Sequence, residues 1–222
     1  MERVITTNGT KALFIDELDL SAKKPKEIMK CLSNILELVW ISPNAFFQNE
    51  NIHDFTTIHL QQNLRNTKDI VLEAKRFLDD KLTPYKEQLH WPPPIFPQGR
   101  CPIYTDSIED ALKKARELTN EGILVIDKSF TEKYNEYVKG PNGEWIKQEM
   151  NTTQFCPYEH LLKGGILVAH RTQIAGFEWP TIIVDVKSGS LLRNFPNFHE
   201  CNFCMRCKAN LFVVKDEIPQ HT

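Results

Sequence analysis

Apolar runs of strand length recur along this 222-residue chain, with helically periodic segments between them. Ala12-Leu13-Phe14-Ile15 stops at Asp16-Glu17-Leu18-Asp19, the pattern of a buried parallel strand that delivers acids at its carboxyl end. Pro25 opens a predicted helix with Ile28, Leu32, Ile35 and Leu36 on one face, and Leu38-Val39-Trp40-Ile41 follows as the next strand. The pattern repeats downstream. Thr57-Ile58-His59-Leu60 reads as a strand, and Asn66 or Thr67 caps a helix through Ile70, Val71, Ala74, Phe77 and Leu78. Pro102-Ile103-Tyr104 leads to a helix capped by Ser107, with Asp110 in its first turn, and then to Gly122-Ile123-Leu124-Val125-Ile126. Ile166–Ala169, Thr181–Val184 and Leu211–Val214 complete the strands, and a short helix is expected across Cys201 to Lys208. Strands that alternate with helices predict an α/β fold built on a parallel, helix-covered sheet.

Two stretches interrupt the pattern. Trp91-Pro92-Pro93-Pro94-Ile95-Phe96-Pro97 cannot be helix or central strand, because proline lacks the amide proton, and is expected as an extended connector. Lys128 to Asn151 is polar, contains Gly140-Pro141-Asn142-Gly143, and is expected as turns or an excursion from the sheet.

Composition narrows the function classes. A hydrophobic share of 41% with 25% charged residues describes a globular chain and excludes disordered, collagenous and coiled-coil classes. No apolar run approaches the roughly 20 residues that span a bilayer, so no membrane association is expected. The net charge of -2 gives the chain no overall attraction for a polyanion, so any nucleic acid would bind in a local groove. The 6 cysteines are unevenly spread without a visible signal peptide, which predicts reduced thiols in the cytoplasm or nucleus.

The Asp16-Glu17 pair at a strand end is the arrangement by which nucleotide hydrolases hold magnesium and polarise water, and an acidic loop looks the same in isolation. Order along the chain adds information. After these acids come Asn63-Leu64-Arg65-Asn66, then Gly176-Phe177-Glu178-Trp179-Pro180, then Cys204-Met205-Arg206-Cys207-Lys208-Ala209-Asn210-Leu211. This series resembles the later motifs of superfamily-1 helicases of the UvrD/Rep type. There the Walker B acids precede an Asn-Tyr-Arg-Ser-like motif, a Gly-Leu-Glu-Phe/Trp motif and a Thr-Arg-Ala-Lys/Arg motif before the last strand.

The resemblance implies a RecA-like sheet in two parts, with the end of a first lobe in residues 1–48 and a second lobe in residues 49–222. It implies an ATP-dependent motor that acts on single-stranded DNA or RNA. Asp16 would hold magnesium, Glu17 would activate water, and Arg65 would reach the γ-phosphate. Gly176 and Glu178 would line the nucleotide side of the cleft, Glu178 at the ribose or phosphate, and Arg206 would neutralise transition-state charge. Arg65 and Arg206 are expected on one side of the second lobe, at the carboxyl edge of its sheet and facing Asp16 and Glu17.

The departures matter equally. No Gly-x-x-x-x-Gly-Lys-Ser/Thr segment occurs, so this chain is expected to be either the C-terminal part of a larger motor, inactive alone, or a decayed relative. Ala175 stands where the family has lysine, and Met205 where it has threonine. A non-catalytic module that binds a protein or nucleic-acid partner is the alternative function. Cys201, Cys204 and Cys207, with His199 nearby, have spacing that could serve zinc, or they pack in the helix that bears Arg206. The scattered tryptophans are expected in core or surface packing, and His170, at the end of an apolar strand, as a hydrogen-bonded structural histidine rather than a general base.

Overall fold

The computed structural model describes residues 12–18, 38–43, 62–78, 89–127, 133–150, 156–170, 173–174, 177–186 and 196–216. The chain divides into two compact units, Met1–His59 and Leu60–Thr222. In the first, strands β1 (Ala12–Leu18) and β2 (Leu38–Pro43) pair in parallel, Phe14 opposite Trp40 and Ile15 opposite Ile41. Asp16 and Glu17 belong to β1 itself, in its carboxyl-terminal half. The helix expected from Pro25 and the strand expected at Thr57–Leu60 lie outside the described residues.

Among the described residues the second unit holds a sheet of 7 strands, whose order is β3-β9-β8-β4-β7-β5-β6 with β5 at Asn135–Lys139 and β6 at Trp145–Glu149. Its parallel centre is β3 (Ile103–Thr105), β9 (Cys207–Val214), β8 (Trp179–Asp185), β4 (Ile123–Asp127) and β7 (Ile166–His170). Period-two alternation sends successive side chains to opposite faces. Leu124, Ile126, Leu167, Ile182, Val184 and Leu211 therefore pack on one face, while Ile123, Val125, Ile166, Ile183 and Phe212 pack on the other. The strands are apolar at nearly every position because both faces are covered. Helix α1 (Lys68–Arg76) contributes Ile70 and Ala74 to the first face, α3 (Pro157–Leu162) contributes Leu161, and α4 (Pro196–Met205) contributes Cys201 and Cys204. Helix α2 (Ile108–Leu118) places Ala111, Leu112 and Ala115 against the second.

Local chemistry explains where these elements begin. Ser107 caps α2 by accepting the Asp110 amide at 3.1 Å. Thr67 is the N-cap of α1, but its side chain makes no capping bond. The first α1 amides instead go to the proline-rich segment, Lys68 N–H to the Pro97 carbonyl at 3.3 Å and Asp69 N–H to the Gln98 carbonyl at 3.0 Å. Gln98 Nε2 donates back to Asp69 Oδ1 at 2.5 Å, so this connector is a strap bound across the start of the helix. A buried cluster ties α1 to β3, where the Tyr104 hydroxyl donates to Glu73 Oε2 at 2.5 Å and Arg76 Nη1 lies 3.1 Å from the same oxygen. Burial, then the Glu73 contact, raises the Tyr104 pKa above its ordinary value.

Three sequence expectations change. The polar stretch after β4 is no excursion: β5 (Asn135–Lys139) and β6 (Trp145–Glu149) form an antiparallel hairpin, and β5 adds antiparallel to β7. The sheet is therefore mixed, parallel in its centre with a hairpin at one edge. Edge strands expose polar side chains, which hid the hairpin from a hydrophobicity reading; Lys147 meets Asp127 at 2.5 Å and Lys133 meets Glu149 at 2.5 Å. Gly143, at φ +83°, makes the reversal that a side chain would strain. Finally, the C-terminal helix stops at Met205, and Cys207 already starts β9. No helix among the described residues is long and apolar enough to cross a membrane.

Cys201, Cys204 and Cys207 are buried, while Cys101 and Cys156 are exposed. Burial pushes the Cys201 and Cys207 thiols up to about 12 and raises Cys204 as well, which opposes the thiolate that zinc requires. Protein purified without chelator should carry no zinc by elemental analysis, and a maleimide should label Cys101 and Cys156 before the other three. A raised folded pKa favours the protonated fold, so stability holds below the unfolded thiol value and is lost as pH climbs toward the folded one. Urea unfolding followed from about pH 8 to about pH 11 should show a loss of up to about 1.4 kcal/mol per pH unit for each thiol. Tyr137, raised to about 12 by burial, adds to the slope only above about pH 10, where an unfolded tyrosine ionises.

Candidate functional site

Strands β8 and β9 are parallel neighbours in which Trp179 stands opposite Cys207, so the residues just before each strand arrive side by side. Those residues are Phe177-Glu178 and Met205-Arg206. The Trp179 amide donates to the Arg206 carbonyl at 3.2 Å and holds the two chains together there. Both segments precede their strands. The site therefore lies at the amino-terminal edge of the sheet, which corrects the expectation of the carboxyl edge; that rule concerns loops that follow strands.

The third segment comes from far away in sequence. Asn66 is fully buried, and its side-chain Nδ2 donates to the Met205 carbonyl at 2.7 Å and to the Cys207 carbonyl at 2.7 Å, across 139 and 141 positions of chain. These carbonyls flank Arg206. Asn63 orients the amide: its Nδ2 donates to Asn66 Oδ1 at 3.1 Å, while its Oδ1 accepts the Arg65 amide at 2.8 Å and the Asn66 amide at 3.0 Å. A side chain bonded to its own following backbone in this way fixes a tight turn. Asn63–Asn66 thus docks the start of α1 onto the turn before β9.

Docking brings the charged groups together around Glu178. Arg65 Nη1 is 2.6 Å from Glu178 Oε1, and Lys208 Nζ is 3.1 Å from Glu178 Oε2. Arg206 Nη1 donates to the Phe177 carbonyl at 3.3 Å, one residue away. Phe177 is held from beneath by Tyr158, with ring centroids 4.6 Å apart and planes 1° from parallel. Two cationic side chains accordingly pair with one carboxylate, and a third, Arg206, is held beside it on the Phe177 carbonyl, so the described residues of the cluster carry more positive than negative charge. That donor set fits a phosphate-bearing ligand, because guanidinium forks pair two phosphate oxygens and keep their charge at any working pH.

The structure therefore brings together Arg65, Glu178 and Arg206 of the residues singled out by sequence. Asp16 and Glu17 lie in the first unit on β1, with side chains outside the described set, and Gly176 lies outside the described residues. Among the described residues no cluster of histidine, cysteine, aspartate or glutamate could hold a metal. Sequence reasoning missed Asn63, Asn66 and Lys208 as parts of the site. Their signal was present as two asparagines three apart before a helix and a lysine two past the arginine, but neither spacing specifies a distant partner.

Asn66→Ala would leave the buried Cys207 carbonyl, the part-buried Met205 carbonyl and Asn63 Nδ2 without their partner, so it should lower the unfolding free energy by about 2–4 kcal/mol. Leu64→Ala, at a side chain 70% exposed in the same turn, should change it by less than about 0.5 kcal/mol. Equal effects in urea unfolding would show that the asparagine joint carries no particular stability.

Searches against family models and curated protein sequences return no match, so any functional reading of this chain rests on the residues described above.

Proposed function

We propose that this chain is the C-terminal portion of an ATP-dependent helicase or translocase of the superfamily-1 type. In this reading it couples nucleotide hydrolysis to movement on single-stranded DNA or RNA. One observation carries the proposal: the second, third and fourth motif segments, distant in sequence, converge through Asn66 and Glu178 on one edge of the sheet. Arg65 and Lys208 on one carboxylate, with Arg206 held beside it, give this edge an excess of positive charge that suits a phosphate-bearing ligand.

In this reading Arg65, Arg206 and Lys208 receive the phosphates. Arg206 sits on a turn fixed from both sides by Asn66 and by the Trp179 amide, so its guanidinium is presented from a rigid base. Preorganised charge of this kind is effective because it costs no reorganisation as the transition state forms. Magnesium, when bound with ATP, would neutralise phosphate charge; Asp16 would hold it, and Glu17 would accept the proton of the attacking water. Nucleic acid would lie in a local groove, given the net charge of -2. The buried, protonated thiols fit a reducing compartment, the cytoplasm or nucleus.

The 222-residue chain, which holds no Gly-x-x-x-x-Gly-Lys-Ser/Thr segment, should show no ATP turnover above background. Joined to a segment that supplies such a loop, it should hydrolyse ATP, and Arg206→Ala should then cut turnover by about a thousandfold with little loss of folding stability. Turnover that survives Arg206→Ala in the joined protein, or turnover by the 222-residue chain that disappears in Glu17→Gln, would sink this account of the site.

A further inference from the structure

The ion pairs at Glu178 bear on how the cluster meets its ligand. A residue that contacts ribose, one of the two places the family resemblance implies for Glu178, has no need to bind the cations that receive phosphate. Here both carboxylate oxygens are engaged, Oε1 with Arg65 at 2.6 Å and Oε2 with Lys208 at 3.1 Å. The carboxylate is the less exposed partner, at 21% against 59% for Arg65 and 48% for Lys208. All three backbones are held, Glu178 directly before β8, Lys208 within β9 and Arg65 in the Asn63 turn, but both cations end longer and more exposed side chains than the glutamate. The cations can therefore swing further than the carboxylate.

We infer that Glu178 is a built-in counter-anion: in the ligand-free lobe it holds Arg65 and Lys208 where phosphate oxygens will be, and an arriving polyphosphate must take them from it. The inference rests on the phosphate reading of the cluster and concerns how that site is regulated. Two consequences follow from the charges alone. Pairing prevents repulsion between Arg65 and Lys208 from dispersing them, so the cluster stays assembled without ligand. The same carboxylate also competes with the incoming anion and repels it, so affinity is held below what the cations alone would give. Exposed ion pairs are individually weak, which makes such an exchange reversible at modest ligand concentration.

The test is a titration of the isotope-labelled 222-residue chain with inorganic tripolyphosphate at low ionic strength, read on the arginine side-chain NMR signals, with ATP as a parallel titrant. Glu178→Gln removes the charge and keeps the shape. It should shift the Arg65 signal before any ligand is added, and it should tighten tripolyphosphate binding about three- to tenfold. Glu159→Gln, at an exposed glutamate paired with Lys163, controls for the change in net charge and should leave the affinity as it is. Weaker ATP binding with unchanged tripolyphosphate affinity would assign Glu178 to the ribose and overturn the inference while leaving the phosphate site in place. An unmoved Arg65 signal in Glu178→Gln would also overturn it. If neither protein binds tripolyphosphate or ATP, the phosphate reading falls and the inference falls with it.

Discussion

A single buried carboxamide holds one pole of the second unit together. Asn66 donates through one nitrogen to two backbone carbonyls 139 and 141 positions away, on either side of the arginine before the last strand. Left unbonded, the buried Cys207 carbonyl would cost about 1–3 kcal/mol and the part-buried Met205 carbonyl less, so the fold is biased toward the arrangement that satisfies both. The ion pairs nearby are different in kind. Arg65 and Lys208 are half exposed, and contacts of that sort contribute about 0–1 kcal/mol each. The hydrogen-bonded joint sets the geometry, and the charges occupy the place it provides.

The sheet supplies the other half of the constraint. Because β8 and β9 run parallel with Trp179 opposite Cys207, the chains that enter them cross the same edge together, and Glu178 and Arg206 arrive side by side. Apolar packing on both faces keeps that edge rigid: the Trp179 ring is buried at the entry to β8 and donates from Nε1 to the Gly122 carbonyl at 2.7 Å. Gly122 has no alternative residue there, since a Cβ would collide with the Leu161 carbonyl at the end of α3.

The sequence made the central strands legible, since Ile123–Ile126, Ile166–Ala169, Thr181–Val184 and Leu211–Val214 are apolar throughout, as strands covered on both faces must be. It also showed the α2 start, because Ser107 caps locally and capping needs only neighbours. The hairpin of β5 and β6 was hidden, as its outward residues are polar and Tyr137 is its one buried side chain among the described residues. In the site, residue types and order were legible for Arg65, Glu178 and Arg206. The Asn66 joint and the Lys208 contact were not, because hydrogen bonds spanning well over a hundred positions leave no periodicity. Even the edge of the sheet was misplaced, since motif order does not say whether a segment enters a strand or leaves it.

The strap across α1 has a final consequence. Helix amino termini commonly receive anions through free amide protons and the positive end of the helix dipole. In α1 the carbonyls of Pro97 and Gln98 already take the amides of Lys68 and Asp69, and Asp69 places its own negative charge in the first turn. An anion at this pole must therefore be held by flexible, hydrated side chains rather than by backbone. Attraction of that sort is long-ranged and weakens as ions accumulate around it, with a screening distance near 8 Å at physiological ionic strength. Any anion drawn to this pole would accordingly be held more loosely as the ionic strength rises.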